Sequence, residues 1–576
     1  MSTSAEKSTS YAAAALQGYI GAYPGYVRPV WGGVVRAKLE APRVRLVIGG
    51  GSGHYPAFAG WVGAGLADGA VCGDVFASPS AARVRSVARA VEPHHGVVLG
   101  FGNYTGDSLN FGQAAEELRA TGIDARVLAV TDDIASAPAA ERFRRRGIAG
   151  DLVVFKMVAA AAQRGLSIDD VVQVGRRANE STSTLGVAFA GCTLPGADRE
   201  QFTVAPGTMA IGLGIHGEPG LETVPRPDDA GLAALLVDRV VAELPEGTRR
   251  VAVLLNGFGA FNNEAIFSVY RSLHDRLRSQ GLVPVGAHVG QQVSSLDMSG
   301  LSLTLTALDD ELETLWLAPA STPSFHRSAD DMLPVEAGPS ILHDVAPEDG
   351  PPLTAGSAAS NGAAEYVAHG LAEVCASLIA AEAHLGRLDA VAGDGDHGKG
   401  MVAGASAACT AAEGAVGVGA GVRTTLLHAA RAWSDNAGGT SGALWATGMA
   451  AAARVLGDEA DVDASLVAEA VKESADAIAK AGSASVGDKT MLDAVVPFAD
   501  ELFTLVGSGQ SLGEAWEQAA RQATLKADET AQLVARFGRA RTHGDRSVGT
   551  PDPGAVSFAL VMTAAAKAVA RRQGVA

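Results

Sequence analysis

Between residues 346 and 362 the chain reads APEDGPPLTAGSAASNG, a run of small and helix- or sheet-breaking residues. Such a stretch buries little apolar surface, and its prolines interrupt any regular element. It therefore divides the chain, and the two sides differ in texture. Before it, short β-rich runs stop at polar, glycine-containing turns. Val44–Ile48 ends at GGGSGH, Val97–Phe101 at GNYTGD, Arg126–Val130 at TDD and Val251–Leu255 at NGFG. Ala-rich helical stretches separate them, a pattern that predicts βα units and a parallel sheet. Ligands of such sheets collect beyond the carboxyl ends of the strands, so the first three turns predict a site. From Ala363 onward, long Ala, Leu, Glu and Val stretches with few β-branched runs predict an all-α part.

Charge and cysteine usage narrow the function classes. The chain carries 45 Lys+Arg against 63 Asp+Glu, a formal net charge of −18. With no basic block, neither nucleic acid nor an anionic membrane is an expected partner. Cys72, Cys192, Cys375 and Cys409 lie far apart without a CxxC, which argues against a thiolate metal cluster or a disulfide framework. No signal-like segment and no long apolar run is visible, so the expected location is the cytoplasm.

Several motifs carry chemistry. In GGGSGHYP (Gly49–Pro56), glycines allow close backbone approach to a small ligand, and His54 projects from the turn. GNYTGDSLNF (Gly102–Phe111) puts Asp107 at a helix start. Alone it reads as a helix-capping acid; beside His54 it becomes half of an acid/base pair. GLGIHGEPG (Gly212–Gly220) contains GxGxxG, but no acidic residue follows at the dinucleotide-binding spacing. What remains is His216 on an exposed glycine turn, a residue able to add to a carbonyl.

In LDAVAGDGDHGKGM, Asp389, Asp394 and Asp396 would repel one another unless a cation joined them. Oxygen-only ligands select a hard ion such as Mg2+. Gly393–Lys399 fits GxxxxGK, but Gly400 stands where a P-loop has Ser or Thr, and no strand precedes it. DNAGGTSG offers free backbone N–H groups at Gly438 and Gly439, with the Thr440 and Ser441 hydroxyls at a helix start. That is an anion-binding arrangement. GDKTMLDAVVP places Lys489 and Thr490 before an apolar helix, and GTPDPGA is a rigid turn able to line a flat ligand.

In order and spacing these motifs, with SLDMSGLSLTL (Ser295–Leu305), resemble the single-chain ATP-dependent dihydroxyacetone kinase family over nearly the whole chain. The resemblance implies a multidomain fold. A ketose-binding domain would span 1–345 as two α/β lobes split near 190, with a linker at 346–362. An all-α helical-barrel nucleotide-binding domain would span 363–576. In the family, the histidine of GIHGEPG bonds covalently to the substrate carbonyl, which here is His216. The NYTGD aspartate, here Asp107, deprotonates the attacking hydroxyl. The GSGH histidine, here His54, assists, with Gly51, Ser52 and Gly53 around the ketose.

The same resemblance assigns Asp389, Asp394 and Asp396 to two Mg2+ ions on the ATP phosphates. Gly398, Lys399, Gly400, Met401, Gly439, Thr440, Ser441, Gly487, Thr490, Met491, Asp552, Pro553 and Gly554 match segments lining the nucleotide. It also implies a homodimer formed through the ketose-binding half.

Three departures stand out. Tyr55 replaces the Glu of GHEP, and Gly102 replaces the Lys of KNYTGD, leaving space for a longer substrate. Arg541–His543 (RTH) replaces the usual SYL. GHYPAF together with TDDIASAP (Thr131–Pro138) is more similar to the erythrulose kinase branch, which phosphorylates four-carbon ketoses. D-erythrulose is thus the expected substrate, with dihydroxyacetone and L-erythrulose as the alternatives. Two rival activities belong to relatives of this family. Animal members also cleave FAD, which requires the aspartates but not His216. Ketose-sensing coactivators are expected to lose either His216 or the aspartates, and this chain keeps both.

Overall fold

The first three of these β-rich runs become strands of one six-stranded sheet in a computed structural model that describes residues 10–39, 41–328, 352–391, 393–536 and 547–573. The sheet holds β1 (Val27–Val30), β2 (Gly33–Arg36), β3 (Arg45–Ser52), β4 (Gly69–Val75), β5 (Val97–Gly102) and β6 (Ala125–Val130), in the order β1-β2-β4-β3-β5-β6. Strands β4, β3, β5 and β6 are parallel, as expected, and β1 and β2 extend the sheet antiparallel. Helices α1 (Tyr11–Ala22), α2 (Ala81–Ala90) and α3 (Thr105–Arg119) accompany it. Helix α4 (Gly150–Gln163) is buried along nearly its whole length, and α5 (Ile168–Glu180) leads on to a second sheet.

The second sheet contains β7 (Thr182–Ala188), β8 (Thr208–Ile211), β9 (Glu222–Pro225), β10 (Arg250–Gly257), β11 (Val283–Gly290) and β12 (Gly300–Ala307). Its order is β11-β10-β12-β7-β8-β9, and α6 (Asp229–Val241), α7 (Asn263–Ser279) and α8 (Asp310–Leu317) belong with it. Here the expectation of a parallel sheet fails. Only β10 and β11, joined through the crossover helix α7, run parallel; every other pair is antiparallel. The links from β7 to β8 and from β8 to β9 contain no helix, so the chain simply reverses. The second sheet also starts at Thr182, ahead of the expected division near 190.

The chain separates into two compact units, Met1–Asp344 and Val345–Ala576. The second consists of α9 (Ala358–Asp389), α10 (His397–Gly417), α11 (Val422–Ala437), α12 (Gly439–Leu456), α13 (Ala464–Gly482), α14 (Leu492–Gly507), α15 (Leu512–Glu529) and α16 (Pro553–Gln573). Each helix packs on the next, and α16 returns to α9, so they close a ring. Trp433, Trp445, Phe498, Trp516 and Phe558 form its aromatic interior. Residues 358–362, expected as linker, are instead the start of α9. The Ser357 hydroxyl caps it by accepting from the Ser360 N–H at 3.1 Å, and Ser360 is buried while accepting from the Val422 N–H. Among the described residues, no helix is long and apolar enough to cross a membrane.

One buried charge cluster fixes the strand that carries the first glycine loop. Asp68 is fully buried and accepts from Arg43 at 2.7 and 3.0 Å and from the Leu46 N–H of β3 at 3.0 Å. Arg36 and Arg45 lie within 3.7 Å of the same carboxylate. Removing the anion leaves buried guanidiniums uncompensated, a change that costs about 3–5 kcal/mol. Asp68→Ala should lower the stability of the first unit by about that amount in chemical denaturation. A midpoint equal to the parent's would show that the cluster does not hold β3.

Candidate active site

The turn after β3 delivers His54 to the carboxyl end of the first sheet. Its ring is buried, with Nδ1 2.9 Å from the Ser294 carbonyl oxygen. A carbonyl only accepts, so Nδ1 carries the proton and Nε2 does not need one for this contact. Nε2 meets Nε2 of His216 at 2.9 Å. His216 lies on the loop between β8 and β9, where its Nδ1 is 3.0 Å from Glu218 Oε1 and its backbone N–H donates to Oε2. Burial would raise the Glu218 carboxyl, but the hydrogen bond and charge of His216, with the Arg146 guanidinium, hold it down to about 2. It is therefore ionised, and His216 Nδ1 donates to it. A Cβ at Gly214 would collide with this carboxylate, which explains the glycine at that position.

The proton count follows from these contacts. Both Nδ1 atoms donate, and two bare Nε2 lone pairs would repel at 2.9 Å. One proton therefore lies between the rings, and the pair carries a single positive charge opposite Glu218. Burial, reinforced by His216, pushes His54 down to about 3. Phe76 stacks on His54 at 5.0 Å, while Phe76 and Tyr104 meet His216 edge-on at 5.1 and 4.9 Å.

Asp107 occupies the first turn of α3, as expected. Its Oδ1 accepts from the Ser78 hydroxyl at 2.7 Å, and the Asn110 amide donates to that hydroxyl at 3.2 Å. Burial pushes its carboxyl up to about 6, against the opposing effects of Ser78 and His216. Asp107, His54, His216 and Gly51 line one small cavity together with Gly102, Tyr104 and Asp151. Ser52 and Gly53 do not. The Ser52 hydroxyl donates to the Gly73 carbonyl at 2.7 Å, and both residues border a neighbouring cavity beside α1. Tyr55 also borders that neighbour and is 48% exposed, so of the two departures near the ketose motifs only Gly102 touches the pocket. Glu218 stood inside GIHGEPG without an assigned part. Ser78 and Asp151 carried no motif at all.

In the second unit, Asp389, Asp394 and Asp396 bring carboxylate oxygens within 4.8 Å of one another. The Gly395 N–H donates to Asp389 Oδ2 at 2.8 Å, and a Cβ at Gly393 would collide with the same carboxylate. Hard oxygen donors on a glycine-bent loop suit Mg2+. They border a cavity that also takes in Lys399, Gly400, Met401, Gly439, Thr440, Ser441, Thr490, Met491, Asp552, Pro553 and Gly554. The first residues of four helices, His397 of α10, Gly439 of α12, Leu492 of α14 and Pro553 of α16, all line it. Alternate helices of the ring thus direct their N-terminal, partially positive ends at one place, an arrangement that favours a polyanion.

Two of the residues assigned to the nucleotide sit elsewhere. Gly398 packs against the Glu382 carbonyl, and the Gly487 N–H donates to Asp493; neither lines the cavity. Lys489 donates to the carbonyls of Leu533, Ser547 and Thr550, so its ammonium clasps loops within the unit. Asp552 caps α16 by accepting from the Ala555 N–H at 2.8 Å, and burial pushes its carboxyl up to about 7. Arg541–His543 lie outside the described residues.

Comparison with known proteins matches each unit to a domain model. The Dak1 domain model matches residues 17–324 and the DAK2 domain model residues 391–567. The chain is 49% identical to the D-erythrulose kinase of Mycolicibacterium smegmatis, over 95% of this chain and 94% of that protein. It is 47% identical to the L-erythrulose kinase of Pectobacterium atrosepticum, over 96% and 94%. The crystal structure of the dihydroxyacetone kinase of C. freundii in complex with AMP-PNP and Mg2+ matches 96% of this chain and 97% of that one, at 31% identity and a TM-score of 0.58. The chain belongs to the single-chain dihydroxyacetone kinase family, with erythrulose kinases among its relatives.

Proposed function

We propose that this chain transfers the terminal phosphoryl group of ATP to a terminal hydroxyl of a four-carbon ketose, D-erythrulose, held covalently on His216. The carrying observation is the His54–His216 pair, countered by Glu218, sharing a pocket with Asp107. The relatives named D- and L-erythrulose kinase support a four-carbon ketose over dihydroxyacetone.

The proton between the rings makes the addition balance. His54 Nε2 takes it, which bares the His216 Nε2 lone pair. That lone pair attacks the carbonyl carbon, and the carbonyl electron pair moves onto oxygen and receives the proton from His54. The product is a hemiaminal with an N-substituted imidazolium at His216, and its Nδ1–H still faces the Glu218 carboxylate. No net charge is created in the buried pocket. A polyol such as glycerol has no carbonyl and cannot be anchored this way. Asp107 then accepts the proton of the hydroxyl that attacks the phosphorus, and ADP departs.

Asp389, Asp394 and Asp396 would hold two Mg2+ ions, which supply charge neutralisation on the phosphates. The helix N-termini, with Lys399, Thr440 and Ser441, would bind and orient the nucleotide. This reading takes the first unit as two α/β lobes, one on each sheet, and the second as a helical barrel, in a cytoplasmic homodimer.

Coupled ADP-release assays with Mg-ATP should rank D-erythrulose above dihydroxyacetone by at least about tenfold in kcat/KM, a difference of about 1.4 kcal/mol, with glycerol inert. Dihydroxyacetone ranking first would make this a triose kinase. Turnover of none would refute the ketose-kinase reading.

Two substitutions should separate the units. Carbon NMR of carbonyl-labelled ketose should lose the adduct signal in His216→Ala, while Asp394→Ala should keep the adduct and lose Mg-ATP turnover. An adduct that persists in His216→Ala would remove that residue from the role.

The Asp107 carboxyl must be ionised to accept a proton. Because burial raises it to about 6, activity should be full above that pH and fall as pH drops through it. The limiting slope in kcat/KM is about tenfold per pH unit. In Asp107→Asn this limb should vanish along with most of the activity.

A further inference from the structure

The wall of the ketose pocket contains a carboxyl that the proposed reaction does not use. Asp151 sits in the first turn of α4 and is only 4% exposed, yet among the described residues its Oδ1 has no hydrogen-bond partner. A buried acceptor without a partner costs free energy and calls for an explanation. Capping of its own helix does not supply one. The N–H groups of Ile148, just before the helix, and of Gly150, its first residue, are taken by Asp132 at 2.8 Å each.

Asp151 lines the same cavity as His216 and Asp107. It is packed against two residues that have no side chain. A Cβ at Gly102 would lie 3.2 Å from Asp151 Oδ2, and one at Gly147 would lie 2.8 Å from Oδ1. The place left by the side chain at residue 102 is therefore bordered by a carboxyl. Burial, followed by the charges of Asp132 and Asp107, drives this carboxyl well above the usual range. A neutral carboxylic acid offers one donor and one acceptor, the complement of an alcohol hydroxyl.

The geometry points to Asp151 as the specificity-determining residue of the pocket: it hydrogen-bonds a hydroxyl that a four-carbon ketose has and dihydroxyacetone lacks. The inference rests on the ketose-kinase reading and adds the group that recognises substrate length. A site built to pair with a hydroxyl discriminates strongly against the analogue lacking it, because its own polar group is then left unsatisfied. The Tyr104 hydroxyl, buried in the same wall, is likewise without a partner among the described residues.

The test is the ratio of kcat/KM for D-erythrulose to that for dihydroxyacetone, measured in the full-length parent, Asp151→Ala and Asp151→Asn. The ratio should fall at least tenfold in Asp151→Ala. Asp151→Asn, which can still donate and accept, should lie between that variant and the parent. The rise should be in KM for the four-carbon ketose, and carbon NMR should show the dihydroxyacetone adduct still forming on His216. If Asp151→Ala does not fold, the ratio in the near-isosteric Asp151→Asn decides, with a threefold fall expected. A ratio within twofold of the parent's in every folded variant would overturn the inference and leave the kinase reading standing. A parent that turns over no ketose would overturn both.

Discussion

Two imidazoles that meet Nε2 to Nε2 at 2.9 Å impose a severe demand on the protein around them. The contact exists only if a proton is kept between them and a counter-charge is kept close. Most features of the first unit can be traced to that demand. The Ser294 carbonyl fixes the His54 tautomer from beyond β11, and Glu218 fixes that of His216 from within its own loop. Gly214 lets the Glu218 carboxylate reach its place, and Arg146, itself tied to Asp133 at 2.7 Å, steadies that carboxylate. His54 comes from a loop of the first sheet, while His216 and Ser294 come from loops of the second. The pair can form only where the loops of both sheets converge, so the sheets serve to hold a two-ring contact.

In the proposed function the second unit solves a different electrostatic problem by a different route. A nucleotide triphosphate with its metal needs many weak positive partners and a few strong negative ones in one place. A closed ring of consecutively packed helices brings alternate helices to the same end with the same polarity. Four N-termini therefore gather around one cavity without clustering basic side chains. The carboxylates sit on the connection between two ring helices, since Asp389 ends α9 and Asp396 immediately precedes α10. This explains how an acidic chain can present a polyanion site. The positive field comes from backbone dipoles, which leave no mark in a count of charged residues.

What could be read from the sequence depended on whether a property was local. The strand ends of β3, β5 and β6, the helix start at Asp107 and the aspartate loop were legible because glycine turns and carboxylate spacing are local patterns. The antiparallel second sheet was not, because Val251–Leu255 has the same composition whether its neighbours run with it or against it. Partner direction is decided by connections far along the chain. The roles of Glu218 and Asp151 were also hidden. A carboxylate in a glycine loop and one at the head of an apolar helix have ordinary local explanations. Only three-dimensional proximity shows that the first neutralises a shared proton and the second faces a cavity without a partner. The part played by Lys489 was hidden too: its ammonium is spent on three loop carbonyls that lie 44 to 61 residues further along the chain.

In the proposed reaction, recognition is divided between two chemistries that fail independently. Covalent addition at His216 reads the carbonyl, so it rejects polyols whatever their length. It is nearly indifferent to what lies further along the chain, since the bond formed is the same for any short ketone. Length must then be read by the pocket wall, and an apolar wall would do so poorly, because one added carbon changes transfer energy by only about 1–3 kcal/mol. A buried polar group without a partner of its own sharpens that reading, since the wrong substrate leaves it unsatisfied. Glycine at residue 102 and a carboxyl at residue 151 are therefore one adaptation. The first withdraws a side chain from the pocket, and the second makes the space selective instead of merely larger. Asp132 couples them to the fold by holding the Ile148 and Gly150 N–H groups, which sets the turn from which Asp151 faces the substrate.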